Sequence, residues 1–133
     1  MRVLLALVLI VAGVGHFLAH DAYLRLIPPW LPAGPTIVWV TGVAEIVLGV
    51  GLLALPRRRR AVGWALAAFL VLVFPGNVHQ AVAGIDVGGL DTPVARWVRV
   101  LLQPPLIAVA LWSTGAWPPA RRRPTARTAP RSR

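Results

Sequence analysis

The chain has 133 residues, of which 57% are hydrophobic, with a mean hydropathy of +0.71 and a formal net charge of +10. This size allows one compact domain, and the apolar content excludes an ordinary soluble protein and indicates an integral membrane protein. The arginines lie between and after apolar runs, so membrane topology and anionic lipid headgroups explain the charge better than nucleic-acid binding. The absence of cysteine excludes disulfides, thiol chemistry and iron–sulfur ligation.

The first apolar run covers residues 3–19 and follows a single basic residue, Arg2. A signal peptide is the alternative to a membrane helix. The run continues through His16 to His20 without a small-x-small cleavage site, and three more apolar segments follow it. We therefore predict a first transmembrane helix here.

Residues 21–35 form the first connecting segment and contain four prolines together with Tyr23 and Trp30. Proline breaks regular structure, while aromatic side chains prefer the headgroup boundary. The composition predicts a loop that lies along the membrane surface and covers the bundle.

The second apolar run, residues 36–55, matches the roughly 30 Å hydrocarbon core and ends before the four arginines 57–60. Glu45 falls near its middle, where a carboxyl group is costly unless it is protonated or paired, so it is expected to face the protein interior. Gly42 and Gly49 lie on the same face as Glu45. This spacing predicts a transmembrane helix that a neighbouring helix approaches closely.

The third predicted span covers residues 61–83. A Pro-Gly pair beginning at Pro75 is expected to interrupt it. Such a break frees backbone groups, which we expect near Asn77, His79 and Gln80.

Residues 84–95 are rich in glycine and acid and predict an external loop, and the fourth span is predicted over residues 96–117. Two prolines directly after Gln103 predict a kinked or restarted helix there. Residues 118–133 contain mainly proline, arginine and small residues, which predicts a disordered tail that binds anionic lipids.

The charges predict the orientation. With both termini in the cytoplasm, eleven arginines lie inside and three lie outside, where three aspartates accompany them. The predicted fold is therefore all-α: an integral membrane four-helix bundle over residues 1–117, with both termini cytoplasmic, followed by the tail 118–133.

Several polar residues inside the predicted spans converge on the outer half of the bundle. They are His16, Glu45, Asn77, His79, Arg99 and Gln103. One interpretation is an outward-opening polar pocket that binds an anionic, carbonyl or quinone-type group. The other is that these residues only join helices, satisfy backbone carbonyls or extend to the interface. His16 and His20 share a helix face, but no dense His/Cys signature accompanies them, and we predict no metal site.

Five short motifs follow one another over about residues 10–112. They are His-Phe from His16, Ile-Pro-Pro-x-Leu-Pro from Ile27, Thr-Gly-x-x-Glu ending at Glu45, Phe-Pro-x-Asn ending at Asn77 and Arg-x-x-x-Gln from Arg99. In this order they resemble the DoxX-like family of small four-helix bacterial membrane proteins. One departure is that two prolines follow Gln103, where the family pattern places proline before the glutamine.

The resemblance implies a multi-pass protein of the bacterial cytoplasmic membrane. The DoxX-like group takes its name from a subunit of a quinone-reducing thiosulfate oxidoreductase, and some members are linked to membrane oxidoreductase complexes. It therefore implies an accessory subunit of a redox system rather than an enzyme acting alone, with quinone as the possible cofactor and an oxidoreductase or a second copy as partner. The alternative is a membrane scaffold without a ligand. A transporter is disfavoured because no inverted repeat is visible.

Overall fold

The structure, a computed structural model, describes residues 1–87, 89 and 92–117. This part of the chain is helical and contains no β-strand. The helices are α1 (Arg2–Leu18), α2 (His20–Leu24), α3 (Gly34–Ala54), α4 (Arg59–Ala83), α5 (Pro93–Leu101) and α6 (Gln103–Ser113), with a 3₁₀ turn (Pro56–Arg58) before α4. The predicted all-α class is confirmed. The predicted disordered tail lies outside the described residues.

Three helical stretches of the described chain are long and apolar enough to cross a membrane: Gly34–Ala54, Pro56–Ala83 and Pro93–Ser113. Helix α1 is also apolar but has 17 residues. Large apolar side chains on the surface are widely exposed, for example Val11 on α1 and Leu72 on α4. Such an apolar exterior suits a lipid environment rather than water.

Helices α1 and α3 pack antiparallel, and glycine allows their close approach. A Cβ added to Gly42 would lie 2.7 Å from His16 Cβ, and one added to Gly49 would lie 2.8 Å from the carbonyl oxygen of Ala6. Both distances are too short for any side chain. The face that carries Gly42, Glu45 and Gly49 therefore meets α1, as the spacing predicts.

The predicted interruption at Pro75 is wrong, because α4 continues unbroken from Arg59 to Ala83. A proline inside a helix lacks an N–H and crowds the preceding turn, so it disturbs carbonyls about one turn earlier rather than groups after it. The carbonyl of Leu70 in that earlier turn accepts a hydrogen bond from Gln103 Nε2 at 2.6 Å. Pro75 cannot donate to the carbonyl four residues before it, and the Leu70 carbonyl held by Gln103 is the one next to that carbonyl.

The last helical stretch restarts as predicted at the prolines after Gln103, but it begins earlier than expected. Thr92 caps α5, since its hydroxyl oxygen accepts a hydrogen bond from the backbone N–H of Ala95 at 3.1 Å. The external loop is correspondingly shorter than 84–95. A turn at Leu102 then separates α5 from α6.

The two ends of the bundle differ in chemistry. The apolar core lies towards one end and consists of Ala6, Leu9, Leu52, Leu66, Phe69 and Ala110. We call this the arginine end, because Arg57–Arg60 connect α3 to α4 there. The opposite end, which holds the last turn of α1, all of α2 and the first turns of α3, is called the polar end.

Candidate functional site

His16, in the last turn of α1, is fixed by groups of α3. Its Nδ1 donates to the carbonyl oxygen of Val38 at 3.0 Å and lies 3.2 Å from Thr41 Oγ1. The Thr41 hydroxyl itself donates to the carbonyl oxygen of Ile37 at 2.7 Å. Because a backbone carbonyl only accepts, these contacts assign a proton to Nδ1. Nε2 is therefore the ring nitrogen that is available for chemistry.

Glu45 lies next to that nitrogen. Its Oε2 is 3.4 Å from His16 Nε2, and the His16 and Glu45 side chains are 12% and 15% exposed. Glu45 Oε2 is buried and has no hydrogen-bond partner within the described residues. One proton can be placed on either group. On Glu45 it gives a carboxylic acid beside a neutral imidazole, and on His16 it gives a carboxylate beside an imidazolium. We call His16 and Glu45 the proton dyad.

Tyr23 of α2 covers the dyad on the side of His16. Its ring centroid lies 4.0 Å from that of His16, with 35° between the planes. Burial raises the pKa of the Tyr23 phenol, the nearby Glu45 carboxyl raises it further, and Arg99 acts in the opposite direction. The phenol is therefore neutral near pH 7 and carries a proton to donate.

A second cluster joins α4 to the α5–α6 stretch. Asn77 Nδ2 donates to Gln103 Oε1 at 2.7 Å, and Arg99 Nε donates to Asn77 Oδ1 at 3.2 Å. Gln103 also donates to the carbonyl of Leu70, as described above. The Asn77 and Gln103 side chains are buried, and they pair with one another and with backbone. We call Asn77, Arg99 and Gln103 the amide cluster.

Arg99 connects the two groups. Its guanidinium interacts electrostatically with both members of the proton dyad, His16 and Glu45. Five of the six predicted residues therefore come together at the polar end, as a dyad and a cluster that share one positive charge.

A family model supplies the comparison with known proteins. The Domain of unknown function (DUF8561) model matches residues 5–114. The chain belongs to the DUF8561 family. No curated protein and no solved structure matches it. The matched range extends from α1 to the end of α6 and so contains both the proton dyad and the amide cluster.

Of the six predicted site residues of this DUF8561 chain, His79 belongs to neither the proton dyad nor the amide cluster. It forms no hydrogen bond or ion pair in the part of the chain that the structure describes. Two residues along an α-helix turn the side chain by about 200°, so Asn77 and His79 face different directions. The described residues also contain no group of three His, Asp or Glu side chains that is placed to hold a metal ion.

Two further polar residues fasten the loop after α4. Gln80 Nε2 donates to the carbonyl oxygens of Ile85 and Val87, each at 3.3 Å. Arg96 is buried and forms an ion pair with Asp86. Arg96 thus holds the loop against α5. Sequence spacing gave no signal for either pairing.

From the sequence, Tyr23 is predicted to be an aromatic residue at the headgroup boundary. In the structure its ring instead lies on His16 of the dyad. Spacing gives no signal for this contact, because Ala19, which is not helical, separates α1 from α2, and residues seven apart in one helix lie about 10 Å apart along its axis. The predicted loop over residues 21–35 thus contains a short helix that brings an aromatic ring onto the dyad.

Proposed function

We propose that this chain is an integral protein of the bacterial cytoplasmic membrane with four transmembrane spans and cytoplasmic termini. The spans are α1, α3, α4 and the α5–α6 stretch. Helix α1 lies at the lower limit of the roughly 17 to 25 residues that span a bilayer, and it packs along α3. The Arg57–Arg60 turn then faces the cytoplasm, in agreement with the positive-inside rule.

We further propose that the polar end binds a small amphipathic, quinone-like molecule, and that the chain acts as an accessory subunit of a membrane redox system. The observation that carries this proposal is the buried Oε2 of Glu45, which lies beside His16 but has no hydrogen-bond partner within the described residues. Leaving a polar atom without a partner in a bundle costs roughly 1–3 kcal/mol. A ligand polar group at this position would remove that cost.

The donors present fit a carbonyl ligand. A protonated Glu45, the Arg99 guanidinium and the Tyr23 phenol all donate hydrogen bonds, and a quinone carbonyl oxygen accepts them. When bound, a quinone would supply electron acceptance, with electrons coming from an oxidoreductase partner. The contribution of this chain is to orient the carbonyl and to hold a proton at the dyad. The resemblance of the motifs to the DoxX-like family is in line with a redox role and stays a prediction.

The second candidate function is a membrane scaffold without a ligand. It is favoured by the amide cluster, in which Asn77 and Gln103 are satisfied by each other and by the Leu70 carbonyl. Such a network joins helices without offering a free group. Under this alternative the proton dyad is a further helix contact.

Purification of the full chain from its native membrane, without added cofactor, distinguishes the two functions. We expect an absorption spectrum and mass spectrometry of the extract to reveal an aromatic or quinone ligand near one per chain. The ligand should be lost in Glu45→Gln and retained in Asp21→Asn, which makes the same acid-to-amide change at an exposed position of the same end. Recovery of bulk phospholipid alone would favour the scaffold.

A further inference from the structure

An apolar groove opens between α3 and α4 on the side of the bundle near the arginine end. Its volume is about 270 Å³, and its walls include Val47, Leu48 and Leu55 from one side and Val62 and Ala65 from the other. At Gly51, on the floor of the groove, an added Cβ would meet Val62 at 3.5 Å, an ordinary contact distance.

The groove leads into a cavity of about 560 Å³ that Pro56, Arg57–Arg60 and Ala61 surround. All four arginines are exposed. Arg58 and Ala61 line both spaces, so the apolar groove and the arginine cavity form one continuous site.

Among the described residues, no carboxylate pairs with these four arginines. The ion pairs among the described residues, His16–Glu45 and Arg96–Asp86, lie at the polar end. The chain has four acidic residues in all, Asp21, Glu45, Asp86 and Asp91, and none occurs between residues 92 and 133. A cluster of four guanidinium groups without a carboxylate attracts an anion from outside the chain.

We propose that the groove and the arginine cavity together bind one anionic phospholipid, with an acyl chain in the groove and the phosphate on the arginines. Guanidinium groups bind phosphate oxygens through paired N–H donors, and the groove offers apolar surface of the kind an acyl chain contacts. A zwitterionic lipid also carries a phosphate, but the arginines repel its cationic headgroup. The proposal rests on the membrane placement proposed above and is independent of the quinone-like ligand.

The test is equilibrium binding of lipid to the purified full chain in detergent, measured by native mass spectrometry. Phosphatidylglycerol and phosphatidylcholine with identical acyl chains are the probes, and inorganic phosphate and dihexanoyl phosphatidylglycerol are the competitors. We expect one phosphatidylglycerol per chain, bound at least about tenfold more tightly than phosphatidylcholine. Weak competition by both competitors would show that the acyl chain contributes.

Matched variants separate this site from general positive charge. Arg58→Gln should weaken phosphatidylglycerol binding about fivefold, the effect of one arginine near an anionic headgroup. Arg122→Gln removes the same charge from the tail and should change the affinity less than about twofold. Ala65→Leu should fill the groove and weaken binding, whereas Ala68→Leu, exposed on the same helix outside the groove, should not.

Three results would overturn the proposal: equal affinity for the two lipids, equal losses in Arg58→Gln and Arg122→Gln, or full competition by inorganic phosphate. The last would indicate a site for free anions. Alkaline carbonate extraction of each variant reports membrane placement separately. A chain that is released by carbonate contradicts the placement itself, while an embedded chain without lipid preference contradicts only this inference.

Discussion

At the scale of single residues, Glu45 and Gln103 differ in what they leave unpaired. Both are polar side chains inside an apolar bundle. Gln103 uses its donor on the Leu70 carbonyl and its acceptor on Asn77, whereas Glu45 Oε2 has no hydrogen-bond partner among the described residues. The first arrangement contributes to stability, and the second leaves a group for another molecule.

Replacing Gln103 by leucine should therefore destabilise the fold. The change removes the hydrogen bonds from Gln103 to the Leu70 carbonyl and from Asn77 to Gln103, and we expect a loss of about 1–2 kcal/mol in the free energy of unfolding. Unfolding by SDS titration measures it. Leu106→Ala, at an exposed position of the same helix, is the control and should change stability less. Unchanged stability in Gln103→Leu would contradict a structural role for the amide cluster.

The convergence of five polar residues could be predicted from helix depth alone. Their partners could not, because periodicity assigns a residue to a face but does not say which side chain of another helix meets it. Arg99 was expected near Glu45 and also hydrogen-bonds to Asn77. His79 was misplaced by depth alone, although helical spacing already separates it from Asn77 by about 200°.

At the scale of helices, glycine positions set the approach of α1 to α3. Gly49→Ala should lower the free energy of unfolding by about 1–3 kcal/mol, because the new Cβ would overlap the Ala6 backbone. Gly51→Ala, two residues later on the same helix, meets only an ordinary contact and should raise stability by up to about 1 kcal/mol through helix propensity. Opposite signs in thermal unfolding are expected. Equal effects would contradict the α1–α3 packing.

The prolines of this chain occupy two different positions in its helices, one at a helix start and one in a helix interior. The prolines after Gln103 coincide with the start of α6, where a helix tolerates a missing N–H. Pro75 instead lies inside α4, and the neighbouring Gln103 binds the carbonyl of the turn before it. The sequence contains the proline in both cases, and proline alone does not distinguish a break from a continuous helix.

At the scale of the whole molecule, the separation of chemistry between the two ends predicts one orientation. The chain has no cysteine, so single-cysteine variants report on one position each. Asp21→Cys should react from outside intact cells with a membrane-impermeant maleimide. Arg57→Cys should react only after the membrane is permeabilised. The reverse pattern would contradict cytoplasmic termini, and labelling of both positions from outside would contradict an even number of spans.

The apolar runs, their order and the polar half of the bundle follow from the sequence, because they depend on composition and spacing. The loop contacts of Gln80 and Arg96, the Tyr23 ring on His16 and the groove beside Gly51 depend on how helices pack. Spacing assigns a residue to a helix face, but these contacts follow only from the three-dimensional packing.

The most direct test of the central claim is equilibrium binding of a decyl-substituted benzoquinone to the purified protein in detergent. We predict saturation at one molecule per chain, and a loss of affinity of about tenfold in Glu45→Gln, because the amide replaces the acidic O–H donor by a weaker N–H donor and cannot share a proton with His16. Asp21→Asn should bind as the unchanged protein does. Equal affinity of Glu45→Gln and the unchanged protein, or uptake no greater than that of empty micelles, would contradict a ligand site at the proton dyad.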